Sequence, residues 1–358
     1  MKKYIDTIHP YEIGKPIDEV KRELGLEEVF KLASNENSLG LSAKVKAAIV
    51  AALPTAHRYP DGAAWELRSV LAAHLHVPME EIIIGNGSNE IIDFIARGYI
   101  SEGDEVISSE CAFLVYPLLT QVCGGTYVEV PMNNWRFDLD AIVNAITEKT
   151  KVIFIANPNN PTGTYVPKTE LESFVARVPE NVMICIDEAY YEYATAEDFL
   201  SGLVFRGKKN VVTFRTFSKA YGLAGLRVGY AVASPDVVTY LNKIRQPFNV
   251  NVLAQIAAIA ILGDEEYVQA SCEMNVNGKK LICSAFDDMG LTYIPSQTNF
   301  ILVDVKVDAQ SFFQNALKKG LVVRAMNAYK LNTYVRISIG TEDENLKAIS
   351  VMRELIER

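Results

Sequence analysis

Between about residues 64 and 240 the chain alternates short apolar runs, rich in β-branched residues, with amphipathic stretches. Gly, Pro, Asn or Asp bounds each run, and several runs are apolar at every position, which is typical of buried strands in a mostly parallel sheet. The six runs are Glu81–Gly85, Asp104–Ser108, Lys151–Ala156, Asn181–Ile186, Asn210–Phe214 and Arg227–Val232. The intervening stretches, such as Ile91–Arg97 and Glu170–Val178, have helical spacing. The sequence therefore predicts an α/β domain with helices on the faces of a mostly parallel sheet.

The two flanks of this pattern differ from it. Residues 1–50 are more polar and lead into a predicted helix, Ser42–Leu53, whose first residue is suited to cap it. Residues 250–358 begin with an Ala-rich helix, Val252–Leu262, and then alternate helices with strand-like runs. These runs are Asn299–Val303, Gly320–Arg324 and Tyr334–Ser338. We expect a large domain over residues 51–249 and a smaller α+β domain over residues 250–358, which the N-terminal segment joins.

Charge and cysteine content exclude several classes of function. The net charge of −9 over 358 residues argues against non-specific binding to nucleic acid or to an anionic membrane. The five cysteines are scattered without a C-x-x-C pair, which argues against a disulfide framework and a zinc site. No apolar region follows the lysines near the start, and no run approaches the length of a membrane span. We expect a cytoplasmic protein without a metal ion.

A glycine-containing turn follows the predicted strand at Ile82–Ile84 and opens an apolar helix. A helix N-terminus offers free N–H groups and a favourable dipole, and Ser88 adds a hydroxyl, so this turn suits a phosphate. Two other readings are open: a plain turn, or half of a dinucleotide-binding fingerprint built on Gly85 and Gly87. Glu90 stands where that fingerprint needs its third glycine, and its carboxylate would repel a pyrophosphate.

The loop Asn157–Gly163 follows the next predicted strand and contains two prolines, three asparagines and a glycine. Proline and glycine fix a rigid turn, but they do not require so many asparagines. Asn160 precedes Pro161 in a preset backbone, and its amide is suited to contact an oxygen on a bound ring.

Asp187 ends the otherwise apolar run Val182–Ile186. A carboxylate in that place is unfavourable unless a positive charge pairs with it, and a protonated ring nitrogen supplies such a charge. The alternative is that Asp187 caps a helix. Tyr190, three residues later, could donate its hydroxyl to the ring oxygen beside Asn160.

Lys219 follows the predicted strand Val211–Phe214, among small and apolar residues. Desolvation lowers the pKa of an amine and makes it available for Schiff-base chemistry and proton transfer. Thr216, Ser218 and Arg227 cluster around it in sequence and provide the hydroxyls and the guanidinium that bind a phosphate monoester. An isolated loop lysine is usually a solvated surface residue, but Lys219 is not isolated.

With these motifs together, the sequence resembles the fold-type-I pyridoxal-phosphate (PLP) enzymes, and within them the histidinol-phosphate aminotransferases. The resemblance runs nearly end to end. It is carried by His9–Pro16, Lys31–Asn37, Arg58–Gly62, Asn157–Gly163, Asp187–Tyr190, Ser218–Tyr230, Gln246–Asn251, Thr298–Leu302 and Tyr334–Thr341. One departure is Ser38, where the family often has proline, and we expect it to loosen the N-terminal lid slightly.

The resemblance implies roles for individual residues. Lys219 is implied as the Schiff-base lysine, with Asp187 and Tyr190 beside it as catalytic residues. The residues implied to bind the cofactor are Gly87, Ser88, Asn89, Phe113, Asn160, Asp187, Tyr190, Thr216, Ser218, Lys219 and Arg227, with Tyr59 reaching in from the neighbouring subunit of a homodimer. The residues implied to bind the substrate are Tyr11, Asn160, Arg324 and Arg336. Two arginines suit an enzyme that accepts a phosphate ester in one half-reaction and a dicarboxylate in the other.

The expected activity is transfer of an amino group between L-histidinol phosphate and 2-oxoglutarate, a step of histidine biosynthesis, by a ping-pong Schiff-base mechanism. An aromatic amino-acid aminotransferase would share every cofactor residue and differ only in its substrate pocket. A PLP-dependent decarboxylase of a phosphorylated amino acid would use the same scaffold. A DNA-binding regulator would need an added basic domain, and a nicotinamide dehydrogenase would leave the residues around Lys219 unexplained.

Overall fold

The computed structural model describes residues 3–8 and 15–357. Its strands are β1 (Phe30–Lys31), β2 (Ile82–Gly85), β3 (Glu105–Ser109), β4 (Thr126–Val130), β5 (Thr150–Ala156), β6 (Met183–Asp187), β7 (Val211–Thr216), β8 (Gly229–Ala233), β9 (Thr292–Ile294), β10 (Phe300–Asp304), β11 (Leu321–Val322), β12 (Arg324–Ala325) and β13 (Tyr334–Ser338). Its α-helices are α1 (Ile17–Leu24), α2 (Ala43–Ala52), α3 (Trp65–Leu75), α4 (Ser88–Tyr99), α5 (Val115–Val122), α6 (Leu139–Asn144), α7 (Lys168–Arg177), α8 (Pro235–Asn242), α9 (Val252–Leu262), α10 (Glu265–Asp288), α11 (Ala309–Lys318) and α12 (Glu342–Ile356).

The largest sheet has the strand order β2-β8-β7-β6-β5-β3-β4. Strands β4, β3, β5, β6 and β7 pair in parallel, and only β8 is antiparallel to its neighbours. Side chains on both faces of the central strands are buried because helices cover both faces, which is why these strands read as continuous apolar runs. The predicted fold class is confirmed, and all six predicted runs lie in this sheet.

Strand β4 was not among the predicted runs. It lies at the edge of the sheet, next to β3 alone, and most of its residues are partly or fully exposed. Because an edge strand buries little surface, its sequence need not be apolar. The polar residues Thr126 and Glu129 interrupt the apolar pattern, so the sequence does not predict this strand.

A second, antiparallel sheet has the order β12-β13-β10-β9, and β1 pairs in parallel with β11 beside it. Apolar side chains of β10, β13, α11 and α12 form a separate core, to which Leu32 contributes. Val20 of α1 packs in a small cluster with Leu317 and Val322. The part of the N-terminal segment that contains α1 and β1 thus lies on this smaller unit.

The predicted strand Gly320–Arg324 is divided between two sheets, which corrects the prediction. Leu321 and Val322 pair with β1, whereas Arg324 and Ala325 pair with β13. Val323 lies between the two pairings and is buried in the core of the smaller unit together with Leu321, so the run stays apolar although its pairing partner changes.

Helices α2 and α9 lie on the large sheet. Both were predicted from sequence, and Ser42 caps α2 by accepting a hydrogen bond from the N–H of Val45 at 3.1 Å, as expected. Helix α9 packs against α2 and α3, and its buried alanines share a core with Ile84 and Tyr230 of the large sheet. We therefore propose that the large domain includes both helices, rather than being bounded at residues 50 and 250.

No helix in the described ranges is both long and apolar enough to cross a membrane. The ends of β5, β6 and β7 and the start of α4 lie at one edge of the large sheet, facing the smaller unit. This edge holds the candidate site.

Candidate active site

A cavity of about 300 Å³ lies at the carboxyl ends of β5, β6 and β7. It is lined from both sides, because β12 and β13 of the smaller sheet close it opposite the large sheet. Twelve residues singled out from the sequence line it: Ser88, Asn89, Phe113, Asn160, Asp187, Tyr190, Thr216, Ser218, Lys219, Arg227, Arg324 and Arg336. Residues separated by up to 248 positions therefore meet at one place, which open α/β sheets use for ligands.

Lys219 lies in the turn after β7 and is partly buried. Burial lowers the pKa of its amine to about 8, and the positive charges of Arg336 and Arg227 lower it as well. Its Nζ is 3.4 Å from the carbonyl oxygen of Ser34 and 5.7 Å from the centre of the Tyr190 ring. The neutral, nucleophilic form of this amine is therefore far more populated near neutral pH than that of an ordinary lysine.

Asp187 is the last residue of β6 and is 5% exposed. Burial raises the pKa of its carboxyl to about 6. Two donors oppose that rise: the Tyr116 hydroxyl, at 2.7 Å from Oδ2, and the Ala189 N–H, at 3.0 Å from Oδ1. The alternative role as a helix cap is not seen, since only a short turn follows and no α-helix begins there.

The other end of the cavity is built to bind an anion. The Ser218 hydroxyl accepts hydrogen bonds from Thr216 at 3.0 Å and from the Arg227 guanidinium at 3.3 Å, so its own proton can be donated. Helix α4 begins here with Gly87 as its N-cap, which provides no capping side chain. A Cβ on Gly87 would collide with the Arg227 guanidinium, so the glycine lets the helix start and the arginine approach each other.

Asn160 and Tyr190 flank the cavity between these two ends. Oδ1 of Asn160 accepts a hydrogen bond from Arg336, whose second terminal nitrogen donates to the Ala33 carbonyl at 2.9 Å. The Tyr190 hydroxyl accepts a hydrogen bond from Asn35 at 2.9 Å. The Arg336 guanidinium also lies 5.1 Å from the centre of the Phe300 ring. A strand of the small sheet is thereby fixed to a loop of the large one.

Among the described residues, two that were predicted for the site, Gly87 and Tyr59, do not line this cavity. Tyr59 is 82% exposed and stacks on Phe248 with ring centres 4.7 Å apart. Tyr11 lies outside the described residues, and the structure does not test its role.

Four residues that sequence reasoning missed belong to the site or support it. Glu36 lines the cavity and forms an ion pair with Lys31 at 3.0 Å. Tyr116 contacts Asp187 and stacks on Phe154. Glu188 and Arg215 form a buried ion pair at 2.8 Å directly behind the strand ends. Of these four, Tyr116 could have been predicted from the sequence, because it stands three residues after Phe113 and that spacing places two side chains on one side of a helical turn.

These groups fit pyridoxal phosphate. The helix start without a capping side chain, together with Ser218 and Arg227, provides donors for a phosphate dianion. The buried Asp187 carboxylate provides a counter-charge for a protonated ring nitrogen, and the amine of lowered pKa can bond to an aldehyde. Phe113 provides an aromatic face in the same cavity.

Comparison with known proteins agrees with this geometry. A family model described as aminotransferase class I and II matches residues 27–351. A histidinol-phosphate aminotransferase of Moorella thermoacetica is 46% identical over 357 residues, covering 99% of this chain and 92% of the relative. Histidinol-phosphate aminotransferase 1 of Idiomarina loihiensis is 46% identical over 98% of this chain and 96% of its own length. The crystal structure of histidinol-phosphate aminotransferase from Sinorhizobium meliloti in complex with pyridoxal-5'-phosphate superposes with a TM-score of 0.92 at 29% identity, covering 100% of this chain and 97% of the other.

Proposed function

The chain belongs to the aminotransferase class I and II family, and from this premise we propose that it transfers an amino group between L-histidinol phosphate and 2-oxoglutarate, with pyridoxal phosphate as cofactor. The observation that carries the proposal is that Lys219, Asp187 and Arg227 line one cavity, with the lysine amine at a lowered pKa. The full-length relatives named above as histidinol-phosphate aminotransferases support the choice of substrate.

In this proposal, different residues bind the ring and the phosphate of the cofactor. Lys219 holds it covalently, Asp187 pairs with the ring nitrogen, and Asn160 and Tyr190 contact the ring oxygen. The phosphate is bound by Gly87, Ser88, Asn89, Thr216, Ser218 and Arg227, and Phe113 packs on the ring. When bound, the cofactor supplies an electron sink that stabilises negative charge on the reacting carbon of the amino donor.

Lys219 then has a second task as the proton carrier of the reaction. Its amine, when not bonded to the cofactor, would be placed to carry a proton to and from the reacting carbon of the substrate. Its pKa of about 8 lies much closer to neutral pH than the ordinary lysine value of 10.5, which makes the amine better suited to both accept and give up a proton.

Arg324 and Arg336 are proposed to bind the acidic end of each substrate, together with Asn160 and with Tyr11 from outside the described residues. Both arginines line the cavity on the side of the small sheet, opposite the Lys219 turn. A guanidinium can bind a phosphate monoester and a carboxylate in the same bidentate manner, so one pocket can serve both half-reactions of a ping-pong cycle.

We further propose that the enzyme is a cytoplasmic homodimer, in which Tyr59 reaches the active site of the neighbouring subunit. The exposed side chains of Tyr59, Trp65 and Phe248 support this, since large apolar groups in one region of a surface mark an interface. None of the five cysteines forms a disulfide bond in the described part of the chain, which is compatible with a reducing compartment.

A panel of amino donors with 2-oxoglutarate tests the activity: histidinol phosphate, phenylalanine, tyrosine and aspartate. We expect the highest kcat/KM for histidinol phosphate, with loss of activity and of the cofactor's visible absorbance in Lys219→Ala. A preference for phenylalanine or tyrosine would instead identify an aromatic aminotransferase. Release of carbon dioxide without any need for the 2-oxo acid would identify a decarboxylase.

A further inference from the structure

Tyr116 does not line the cavity, yet its hydroxyl donates a 2.7 Å hydrogen bond to Oδ2 of Asp187. Oδ1 of the same carboxylate accepts the backbone N–H of Ala189, two residues further along the chain. Tyr116 lies on α5, so its bond connects Asp187 to a different element of the large domain. Removal of this hydroxyl would break the hydrogen bond between α5 and the carboxylate.

The ring of Tyr116 is fixed in place on two sides. It is fully buried and stacks on Phe154 of β5, with ring centres 4.5 Å apart and planes 5° from parallel. The edge of the Phe113 ring lies against it at 5.8 Å and 88°. Burial, and then the Asp187 charge, raise the pKa of the Tyr116 hydroxyl well above its usual value. The hydroxyl therefore keeps its proton and acts as a donor in one fixed position.

The charges around Asp187 show what this donor does. Burial raises the pKa of the carboxyl, and the hydrogen bond from Tyr116 is the largest influence that lowers it, ahead of the Ala189 N–H. Lys219 lowers this pKa further and Glu188 raises it, while the buried Cys185 on the same strand has its own pKa raised. Without Tyr116 the Asp187 carboxyl would hold a proton up to a higher pH.

We propose that Tyr116 is a positioning residue: its hydrogen bond holds the Asp187 carboxylate ionised and oriented, so that the ring nitrogen of the bound cofactor keeps the proton. This inference rests on the function proposed above. Tyr116 thereby connects the aromatic face of the cavity, Phe113, with the carboxylate on which the electron sink depends.

Tyr116→Phe in the PLP-loaded enzyme tests the proposal, because it removes one oxygen and keeps the ring. The readout is the pH titration of the cofactor's visible absorbance, which follows the proton on the nitrogen shared by Lys219 and the cofactor. A positive charge on the ring nitrogen disfavours that proton. Loss of the charge should move the titration midpoint upward by about one pH unit. The affinity for PLP should fall roughly tenfold, since one charge-assisted interaction is weakened.

Tyr127→Phe is the matched control. Tyr127 is a tyrosine of the same domain whose hydroxyl donates to the Ser109 backbone carbonyl at 3.2 Å, outside the cavity. The titration midpoint of the Tyr127→Phe variant should equal that of the wild type. Equal midpoints for Tyr116→Phe and wild type would overturn the proposal, as would an equal shift in both variants.

The two proposals fail in different ways. Wild-type protein that binds no PLP would refute the proposed function, whereas an unmoved midpoint in a PLP-binding Tyr116→Phe variant refutes only the role of Tyr116. If the Tyr116→Phe variant does not fold, Phe154→Leu provides a second test, because it retains the Tyr116 hydroxyl but removes the ring on which the Tyr116 ring stacks. In Phe154→Leu the titration midpoint should move upward by less than in Tyr116→Phe, and an unmoved midpoint would again count against the proposal.

Discussion

Burial moves Lys219 and Asp187 toward their neutral forms, although one is a base and the other an acid. The pKa of the amine falls to about 8 and that of the carboxyl rises to about 6. Both groups line the same cavity, so in the protein without cofactor each is within reach of titration near neutral pH. Two predictions follow from these two values.

Capture of PLP by the apo-protein should follow the titration of Lys219. Only the neutral amine attacks an aldehyde, so the rate should rise with pH and reach half of its maximum near pH 8, rather than near the ordinary lysine value of 10.5. Stopped-flow absorbance measures this rate. In Arg336→Gln the midpoint should lie higher, because the Arg336 charge contributes to the lowered pKa. A midpoint at 10 or above in the wild type would contradict the prediction.

Asp187→Asn should make the apo-protein more stable at pH 8. The folded-state pKa of Asp187 is about 6, above its ordinary 3.8, so the cost of the buried charge appears as the pH rises through this window and is complete above it. Asparagine has no such charge, and the gain should be at most about 3 kcal/mol at pH 8 and vanish near pH 4. Urea unfolding at both pH values measures it. The same variant should lose activity on the order of 100-fold or more, since it cannot pair with a ring cation. Lower stability than the wild type at pH 8 would show that the carboxylate is favourably solvated.

At the scale of elements, the ends of β6 and β7 are held together by a buried ion pair. Arg215 on β7 donates to Glu188, which follows β6, at 2.8 and 2.9 Å. Glu188 also accepts from the Gly202 N–H at 2.6 Å, and the Arg215 guanidinium lies 3.4 Å from the centre of the Tyr191 ring. These contacts lie one residue away from Asp187 and Thr216, so they set the spacing between the two halves of the candidate site.

Arg215→Met should destabilise the apo-protein by about 3–5 kcal/mol, because it leaves the Glu188 charge buried without its cation. The double variant with Glu188→Gln should recover part of that loss. Arg97→Met is the control: Arg97 pairs with Asp93 at 2.7 Å on the exposed face of α4, and its loss should cost about 0.5 kcal/mol or less. Denaturant unfolding measures all three. Similar losses for Arg215→Met and Arg97→Met would contradict the prediction.

At the scale of the whole molecule, the cavity exists only while the two units are docked. Arg336 of β13 bonds to Asn160 of the large domain, and Asn35, near β1, bonds to Tyr190. Both contacts join the small sheet and its N-terminal strand to loops at the edge of the large sheet. Tyr59, by contrast, is 82% exposed and does not line the cavity of its own chain.

Mixing two inactive variants should restore activity if Tyr59 serves the neighbouring subunit. Lys219→Ala lacks the amine but retains Tyr59, and Tyr59→Ala has the reverse defect. A mixed dimer would contain one complete site, so activity should approach half of the wild-type value per mixed dimer after subunit exchange. Mixing Lys219→Ala with a Lys219→Ala/Tyr59→Ala double variant provides the control and should remain inactive. Absence of recovery in exchanged dimers would show that Tyr59 does not serve the neighbouring subunit.

Sequence by itself determined the features that depend on neighbouring residues. Six strands of the large sheet are continuous apolar runs because both faces are buried, and the cap of α2 follows from the preference of a serine for a helix start. The residues after each strand could be assigned to one edge of a sheet, because the carboxyl ends of parallel strands meet there. Eight residues singled out there do line a single cavity: Ser88, Asn160, Asp187, Tyr190, Thr216, Ser218, Lys219 and Arg227.

Only the tertiary structure decided which distant residues meet and which sheet or layer an element joins. Tyr116 and Asp187 are 71 positions apart and Asn160 and Arg336 are 176 apart, so no local pattern could pair them. The apolar sequence of α9 indicates that the helix is buried, but it does not indicate which elements cover it. The run that contains Val323 changes from one sheet to another without any change in hydrophobicity. Local preference and burial are properties of a residue and its neighbours, whereas pairing across the chain depends on how all of the apolar surfaces are covered together.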